Sequence, residues 1–255
     1  MSGAGIREER DLLEKKEAHP LSEAAPAGEY TQAEQRPYHA YGARMVAFGD
    51  SLVANDWEGE ESPVWAVKLG KRFGFTELVN AGVPGNTTSQ GLARFDTDVA
   101  VHDGADFVLI VFGMNDHAIP KGGSAPQVER ETFRRNLSAM ADRVAAMGAK
   151  PLFVTTSYIE ENAYEERHPE EFRPPYDGAQ RLLDTYTEVM RQVAVEKHAD
   201  LIDMAAACWS YDKAEFLRED GVHLAAGGQE AYAEVIGEYL AERYPGGQPV
   251  RYPTK

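Results

Sequence analysis

The run "FVLIVFGMND", Phe107 to Asp116, decides how this chain reads. Apolar residues follow one another from Phe107 to Phe112 without alternating with polar ones. A strand with one wet face alternates, whereas a strand covered on both faces does not have to. The run therefore predicts a strand in the middle of a sheet that has helices on both sides. It also ends in Gly-Met-Asn-Asp, a polar segment placed where such a strand stops.

Working outward, the flanking sequence keeps the same rhythm. "MVAFG" before it reads as a first strand, "VWAVKLGKRFG" as a helix stopped by Gly74, and "TELVNAG" as a second strand. "TSQGLARFDTDVAVH" reads as a second helix. After the central run, "PQVERETFRRNLSAMADRVAAMG" repeats apolar residues at helical spacing (Phe133, Leu137, Met140, Val144) and ends at Gly148. "KPLFVTTS" is a fourth strand, "GAQRLLDTYTEVMRQVAVEKHA" a helix, "DLIDMA" a short fifth strand and "AAGGQEAYAEVIGEYLAERY" a closing helix. Strands alternating with helices predict a three-layer α/β/α sandwich around a central, mainly parallel five-stranded sheet. Residues 41–245 form this domain, residues 1–40 an N-terminal extension and residues 246–255 a tail.

The extension carries a charged run, "IREERDLLEKKE", and then a segment rich in Ala, Glu and Pro. A surface arm, partly disordered, is the favoured reading. The other reading is a segment wrapping the domain or a neighbouring subunit of a homo-oligomer, with Tyr30, Tyr38 and Tyr41 as anchors. Charges stand where a signal peptide needs an apolar core, and no window approaches the length that spans a bilayer. The chain is accordingly read as cytoplasmic, with a removed secretion signal left open, and no membrane partner is expected. A formal charge of −16 argues against binding a phosphate backbone, so no nucleic acid is expected either. The single cysteine, Cys208, rules out an intrachain disulfide and a multi-cysteine metal site, and its apolar setting reads as a buried, inert thiol.

In open parallel sheets, ligands bind beyond the carboxyl ends of the strands. Four polar clusters fall there: "GDS" with Ser51, "NAGVPGNTT" with Gly82 and Gly85, "GMND" with Asn115 and Asp116, and "DGVHL" with Asp220 and His223. Each alone is an ordinary turn composition. Together, in this order, they supply a nucleophile, a base and amide donors.

"FGDSL", "NAGVPGNTT", "FGMND" and "DGVHL" resemble the four successive blocks of the SGNH (GDSL-type) hydrolases, across residues 44 to about 242. The resemblance implies a flavodoxin-like fold and a serine-dependent hydrolysis of carboxylic esters. Ser51 would be the nucleophile, His223 the general base and Asp220 the group orienting it. Ser51, Gly85 and Asn115 would form the oxyanion hole, with Gly85 rather than Gly82 matching the family's glycine. A serine hydroxyl gains nucleophilicity when a neighbouring imidazole takes its proton, so neither a metal nor an organic cofactor is expected. Asp50, Asp116 and Asn80 are read as loop braces, and His117 as an exposed loop residue. The remaining histidines lack metal-ligand spacing. Two departures, no Gly shortly after the nucleophile and Leu224 where many members carry Pro, bear on substrate range.

For substrate, "YIEENAYEERHPEEFRPPYDG" reads as an irregular acidic rim, and "HAIPKGGSAP" as the opposite wall. Trp57, Trp209 and Tyr158 are candidate platforms for a sugar ring, against a core reading for each. "YIEEN" also resembles carbohydrate acetylesterases of the family. The expected partner is a small-molecule or oligosaccharide ester, with a short acyl group, acetyl first. A broader short-chain esterase, thioesterase or lysophospholipase is the alternative. An acyltransferase or a non-catalytic binding module is the alternative of another class.

Overall fold

The computed structural model describes residues 38–54, 64–167 and 178–246. Tyr30, Trp57, the last part of the acidic stretch and most of the tail lie outside the described residues. Five strands, β1 (Arg44–Gly49), β2 (Glu77–Gly82), β3 (Phe107–Val111), β4 (Lys150–Val154) and β5 (Asp200–Ile202), form one sheet in the order β2-β1-β3-β4-β5. Every pairing is parallel, so the sheet is wholly parallel rather than mainly so.

The pleat sends successive side chains to opposite faces. Met45 and Ala47 of β1 join Phe107, Leu109 and Val111 of β3 in one buried cluster, while Val46 and Phe48 join Val108 and Ile110 in the other. This division explains why the central run has no polar position. On the first face, α1 (Trp65–Phe73) and α8 (Ala226–Arg243) contribute Leu69, Phe73, Tyr232 and Ile236. On the second, α3 (Arg130–Ala146) and α5 (Ala179–Glu196) contribute Phe133, Leu137, Tyr186 and Met190. The helix α1 ends with Gly74 as its cap, as its sequence predicts.

Three segments depart from expectation. "TSQGLARFDTDVAVH" does not form one helix: α2 (Thr88–Ala93) gives way to a π-helical turn, Asp96–Ala100. Arg94 and Phe95 both face Phe48, with the Arg94 Cζ 4.6 Å from the ring centroid and the two rings 5.9 Å apart. Neighbours in a straight α-helix point about 100° apart, and the wider turn accommodates both. The acidic stretch contains α4 (Glu161–Arg167). The expected short loop after β5 winds through α6 (Met204–Ala207) and α7 (Lys213–Phe216), which the side chains of Asp203 and Asp212 cap. These short helices rest on caps and tertiary contacts rather than on an apolar period, so periodicity misses them.

Of the proposed anchors, Tyr38 packs on Phe107 (5.6 Å between ring centroids) and Tyr41 on Phe73 (5.0 Å), within this same domain. Among the described residues no helix is long and apolar enough to cross a membrane.

Candidate active site

The strand order reverses direction between β1 and β3, and the crevice at that point lies between the chains leaving them. Leaving β1, the chain turns at once. The buried Asp50 carboxylate accepts the Leu52 N–H (2.9 Å), and the Asp50 carbonyl accepts those of Val53 (3.2 Å) and Ala54 (3.1 Å). Ser51 stands at the apex of this turn, 7% exposed.

The group facing it comes from the other end of the chain. Leu217 and Leu224 form an antiparallel bridge that closes the intervening loop, and the Arg218 N–H donates to the His223 carbonyl (2.8 Å). Within that loop the Asp220 Oδ1 accepts the backbone N–H groups of Val222 (3.0 Å) and His223 (2.9 Å). Its Oδ2 lies 2.6 Å from His223 Nδ1, and His223 Nε2 lies 3.0 Å from Ser51 Oγ. Burial opposes ionisation of Asp220, yet the hydrogen bonds from His223 and Val222 hold its carboxyl below the usual range. A proton on Nδ1 of His223 leaves a lone pair on Nε2 facing the hydroxyl, the arrangement that lets an imidazole accept a serine proton.

Gly221 lets this loop nest against α4. Its φ is +74°, and an added Cβ would sit 2.5 Å from the Glu160 carbonyl oxygen and 3.1 Å from the Ala163 Cβ. Gly221→Ala is therefore expected to lower stability by about 1–3 kcal/mol, read as a lower urea midpoint, and to reduce turnover because the His223 loop shifts with it.

The two candidate glycines separate clearly. Gly82 ends β2, and its N–H donates to the Asn80 Oδ1 (3.1 Å), while the Asn80 Nδ2 donates to the Val53 carbonyl (2.6 Å). Gly85 takes φ +76° at an exposed turn closed by the Asn86 N–H donating to the Val83 carbonyl (3.2 Å). Neither Ser51 nor Gly85 donates its backbone N–H to an acceptor among the described residues. Asn115, leaving β3, spans the two turns: its Nδ2 donates to the Asp50 Oδ2 (3.2 Å) and to the Asn86 carbonyl (3.0 Å). The structure thus brings Ser51, His223 and Asp220 into one hydrogen-bonded row and links Asn115 to the turns carrying Ser51 and Gly85.

Behind this row lie three buried titratable groups. Burial pushes the Asp50 carboxyl up to about 7, against the Leu52 and Asn115 bonds and with the help of the nearby Asp116 charge. Burial likewise pushes Asp116 up to about 6, although it accepts the Thr88 N–H (2.9 Å) and hydroxyl. Asn80, Asp50 and Asp116 all brace loops in the way their sequence setting predicts.

His117 does not sit as expected. Its place after "GMND" reads as exposed, but it is 1% exposed, packed near Tyr164 and Tyr186. The helices α4 and α5 bring those rings over it, and nothing in the local sequence signals that cover. Its Nδ1 lies 3.2 Å from the Gly113 carbonyl, while Nε2 is buried with no partner among the described residues. Burial pushes its pKa from 6.5 down to about 4. Between those values the unfolded chain binds a proton that the folded chain refuses, so stability falls as pH falls through this window. The carboxyls act with the opposite sign, holding protons that the unfolded chain releases, from 3.8 up to about 7 for Asp50. The difference between His117→Phe and the unaltered protein isolates the histidine: the variant is expected to lose less stability between pH 6.5 and 4.5, measured by urea midpoints at each pH.

Trp209 is 53% exposed and stacks on the buried Tyr158 (4.9 Å, 25°), so the platform and core readings divide between them. Cys208 is buried and its thiol is pushed up to about 11 by that burial. Among the described residues no group of three His, Cys, Asp or Glu side chains is arranged to hold a metal ion. Two residues that sequence reading left unassigned, Asn86 and Arg94, enter the hydrogen bonding of the site. The available signal was a basic residue capping the carboxyl end of a helix, three positions after the buried Gly91.

The parallel sheet, covered by helices on both faces, makes the chain an α/β/α protein with its polar groups gathered at the carboxyl edge of the sheet. More narrowly, residues 47–231 match the profile of the GDSL-like lipase/acylhydrolase family, and the chain belongs to that family. The uncharacterized lipoprotein YqeF of Bacillus subtilis (strain 168) is 32% identical over 171 residues, covering 62% of this chain and 69% of that one. Thioesterase 1/protease 1/lysophospholipase L1 of Escherichia coli (strain K12) is 25% identical over 197 residues, 77% of this chain and 82% of its own length. Rhamnogalacturonan acetylesterase RhgT of B. subtilis (strain 168) is 27% identical over 163 residues, 62% of this chain and 63% of its own. The crystal structure of the lipase/acylhydrolase from Enterococcus faecalis superposes with a TM-score of 0.65 at 26% identity, covering 81% of this chain and 99% of that one.

Proposed function

We propose that this protein hydrolyses short acyl esters, acetyl esters of carbohydrates first, through an acyl-enzyme on Ser51. The observation that carries the reading is the row Asp220–His223–Ser51, with separations of 2.6 and 3.0 Å. In the first half-reaction Ser51 Oγ attacks the ester carbonyl while His223 Nε2 takes the hydroxyl proton. Asp220 accepts the Nδ1–H and stabilises the imidazolium that forms. The carbonyl oxygen becomes an oxyanion, for which the Ser51 and Gly85 N–H groups are donors, and the Asn115 amide joins them by releasing its 3.2 Å bond to Asp50. The alcohol leaves with the proton from His223. Water then repeats the sequence on the acyl-enzyme and releases the acid.

The acetyl preference draws support from the likeness to RhgT, a rhamnogalacturonan acetylesterase. The likeness to the E. coli thioesterase/lysophospholipase favours a second reading, a thioesterase or lysophospholipase built on the same row. An acyltransferase differs only in using an acceptor hydroxyl for the second step. A p-nitrophenyl ester series from C2 to C12 tests the preference: the expected maximum of kcat/KM is at C2 to C4, and a maximum at C8 or longer overturns it. Acetate release from acetylated xylan then reads the carbohydrate reading, and ester formation with added alcohol reads the transferase one.

A further inference from the structure

Arg94 sits at the carboxyl end of α2, where the helix widens into the π turn, with its guanidinium over the Phe48 ring. Its donors diverge. Nη2 donates to the Gly49 carbonyl (2.8 Å), Nη1 to the Ala81 carbonyl (2.9 Å) and to Asp98 Oδ2 (2.7 Å), and Nε to Asn86 Oδ1 (2.8 Å). Gly49 ends β1 two residues before Ser51. Ala81 lies next to the end of β2. Asn86 follows Gly85 directly, and its carbonyl accepts the Asn115 amide. One planar cation therefore ties together the strand that presents Ser51, the strand that leads to Gly85, and the turn that holds Gly85.

We propose that Arg94 is the positioning residue of the oxyanion hole, setting the distance between the Ser51 turn and the Gly85 turn. This rests on the esterase reading above. The physical need is plain: Val83, Pro84 and Gly85 are exposed, and the turn has little packing to hold it. Oxyanion donors work only when they lie about 2.7–3.1 Å from the developing charge. A displacement of about 1 Å typically costs roughly 100-fold in rate. A guanidinium meets the need because its N–H groups leave in fixed, divergent directions within one plane, which an ammonium on a flexible stem cannot reproduce. The π turn fits the same purpose, since it lets Arg94 reach the strand ends while Phe95 stays packed on Phe48.

The test uses the full chain with p-nitrophenyl acetate as substrate and phenylboronic acid as a tetrahedral adduct former on a serine. Arg94→Lys is expected to lower kcat about 10- to 100-fold while KM stays within about threefold. The Ki of the boronate should rise in parallel with the kcat loss. Because removing a guanidinium that serves two strand carbonyls endangers folding, Asn86→Ala provides a milder cut, breaking only the bond to the Gly85 turn. It is expected to keep its melting temperature, lose about tenfold in kcat and weaken boronate binding by a similar factor. Asn86→Asp retains the acceptor and is expected to restore kcat. A folded Asn86→Ala protein with unchanged kcat and boronate affinity overturns the proposal, as does a failure of Asn86→Asp to restore activity. Ser51→Ala keeps the two readings apart: if it turns over normally, the esterase reading falls, whereas an inactive Ser51→Ala beside a fully active Asn86→Ala sinks the positioning role alone.

Discussion

Ser51→Ala is expected to lose roughly 10³- to 10⁶-fold in kcat for p-nitrophenyl acetate, the range seen when a nucleophile that works as a unit with its base is removed. The loss should come without unfolding. Ser51 lies at the apex of a turn held by the Asp50 carboxylate and carbonyl through Leu52, Val53 and Ala54, and the backbone bonds of that turn do not use the Ser51 side chain. Among the described residues the hydroxyl meets His223 Nε2 at 3.0 Å, and that half-buried imidazole keeps access to water once the hydroxyl is removed. Melting temperature should therefore change little while turnover collapses. A second measurement reports on the covalent step directly. Intact-mass spectrometry after treatment with a fluorophosphonate should show one adduct on the unaltered protein and none at this site in the variant. Equal turnover by variant and parent would remove Ser51 from the chemistry.

The second large effect is Asp220→Asn, for which about 10³- to 10⁴-fold is expected. The substitution keeps the shape of the loop, because the new Oδ1 still accepts the Val222 and His223 N–H groups that Asp220 holds at 3.0 and 2.9 Å. What changes is the partner of Nδ1. An amide NH₂ placed 2.6 Å from that nitrogen donates where the carboxylate accepted, so the imidazole must carry its proton on Nε2. That tautomer points an N–H at Ser51 Oγ and has no lone pair to receive the hydroxyl proton. The imidazolium formed during attack also loses its adjacent negative charge. The prediction separates orientation from packing: kcat falls by orders of magnitude while KM and the melting temperature move little. A tenfold loss or less would show that Asp220 serves mainly to shape the loop.

Much of this was legible in the chain. The succession of strands and helices and the layer architecture followed from the unbroken apolar run at Phe107–Phe112 and the helical periods on either side, because burial on both faces of a parallel sheet leaves a one-dimensional trace, whereas the order of the strands in the sheet came from the structure. The row itself was legible as a set of residue types, since each member follows a strand or lies in a glycine-containing loop. The burial of His117 was not, for it depends on Tyr164 and Tyr186 arriving from helices distant in sequence. Nor were the short helices α6 and α7, which the Asp203 and Asp212 caps start and tertiary contacts hold.

Arg94 marks the boundary most sharply. Its position at the carboxyl end of α2 is a local property, readable from spacing. Its use of the Gly49, Ala81 and Asn86 oxygens is not, because those acceptors come from the ends of two strands and from the turn after the second. The sequence by itself determined which reactive groups exist and at which edge of the sheet they emerge, since strand direction and side-chain period are local and cumulative. Only the tertiary structure decided that residues 51 and 223 meet at 3.0 Å, that Asn115 lies between two turns, and that a single guanidinium ties those turns together. Hydrogen bonds are short-ranged and directional, so their partners are chosen by the folded backbone and leave no period in the chain.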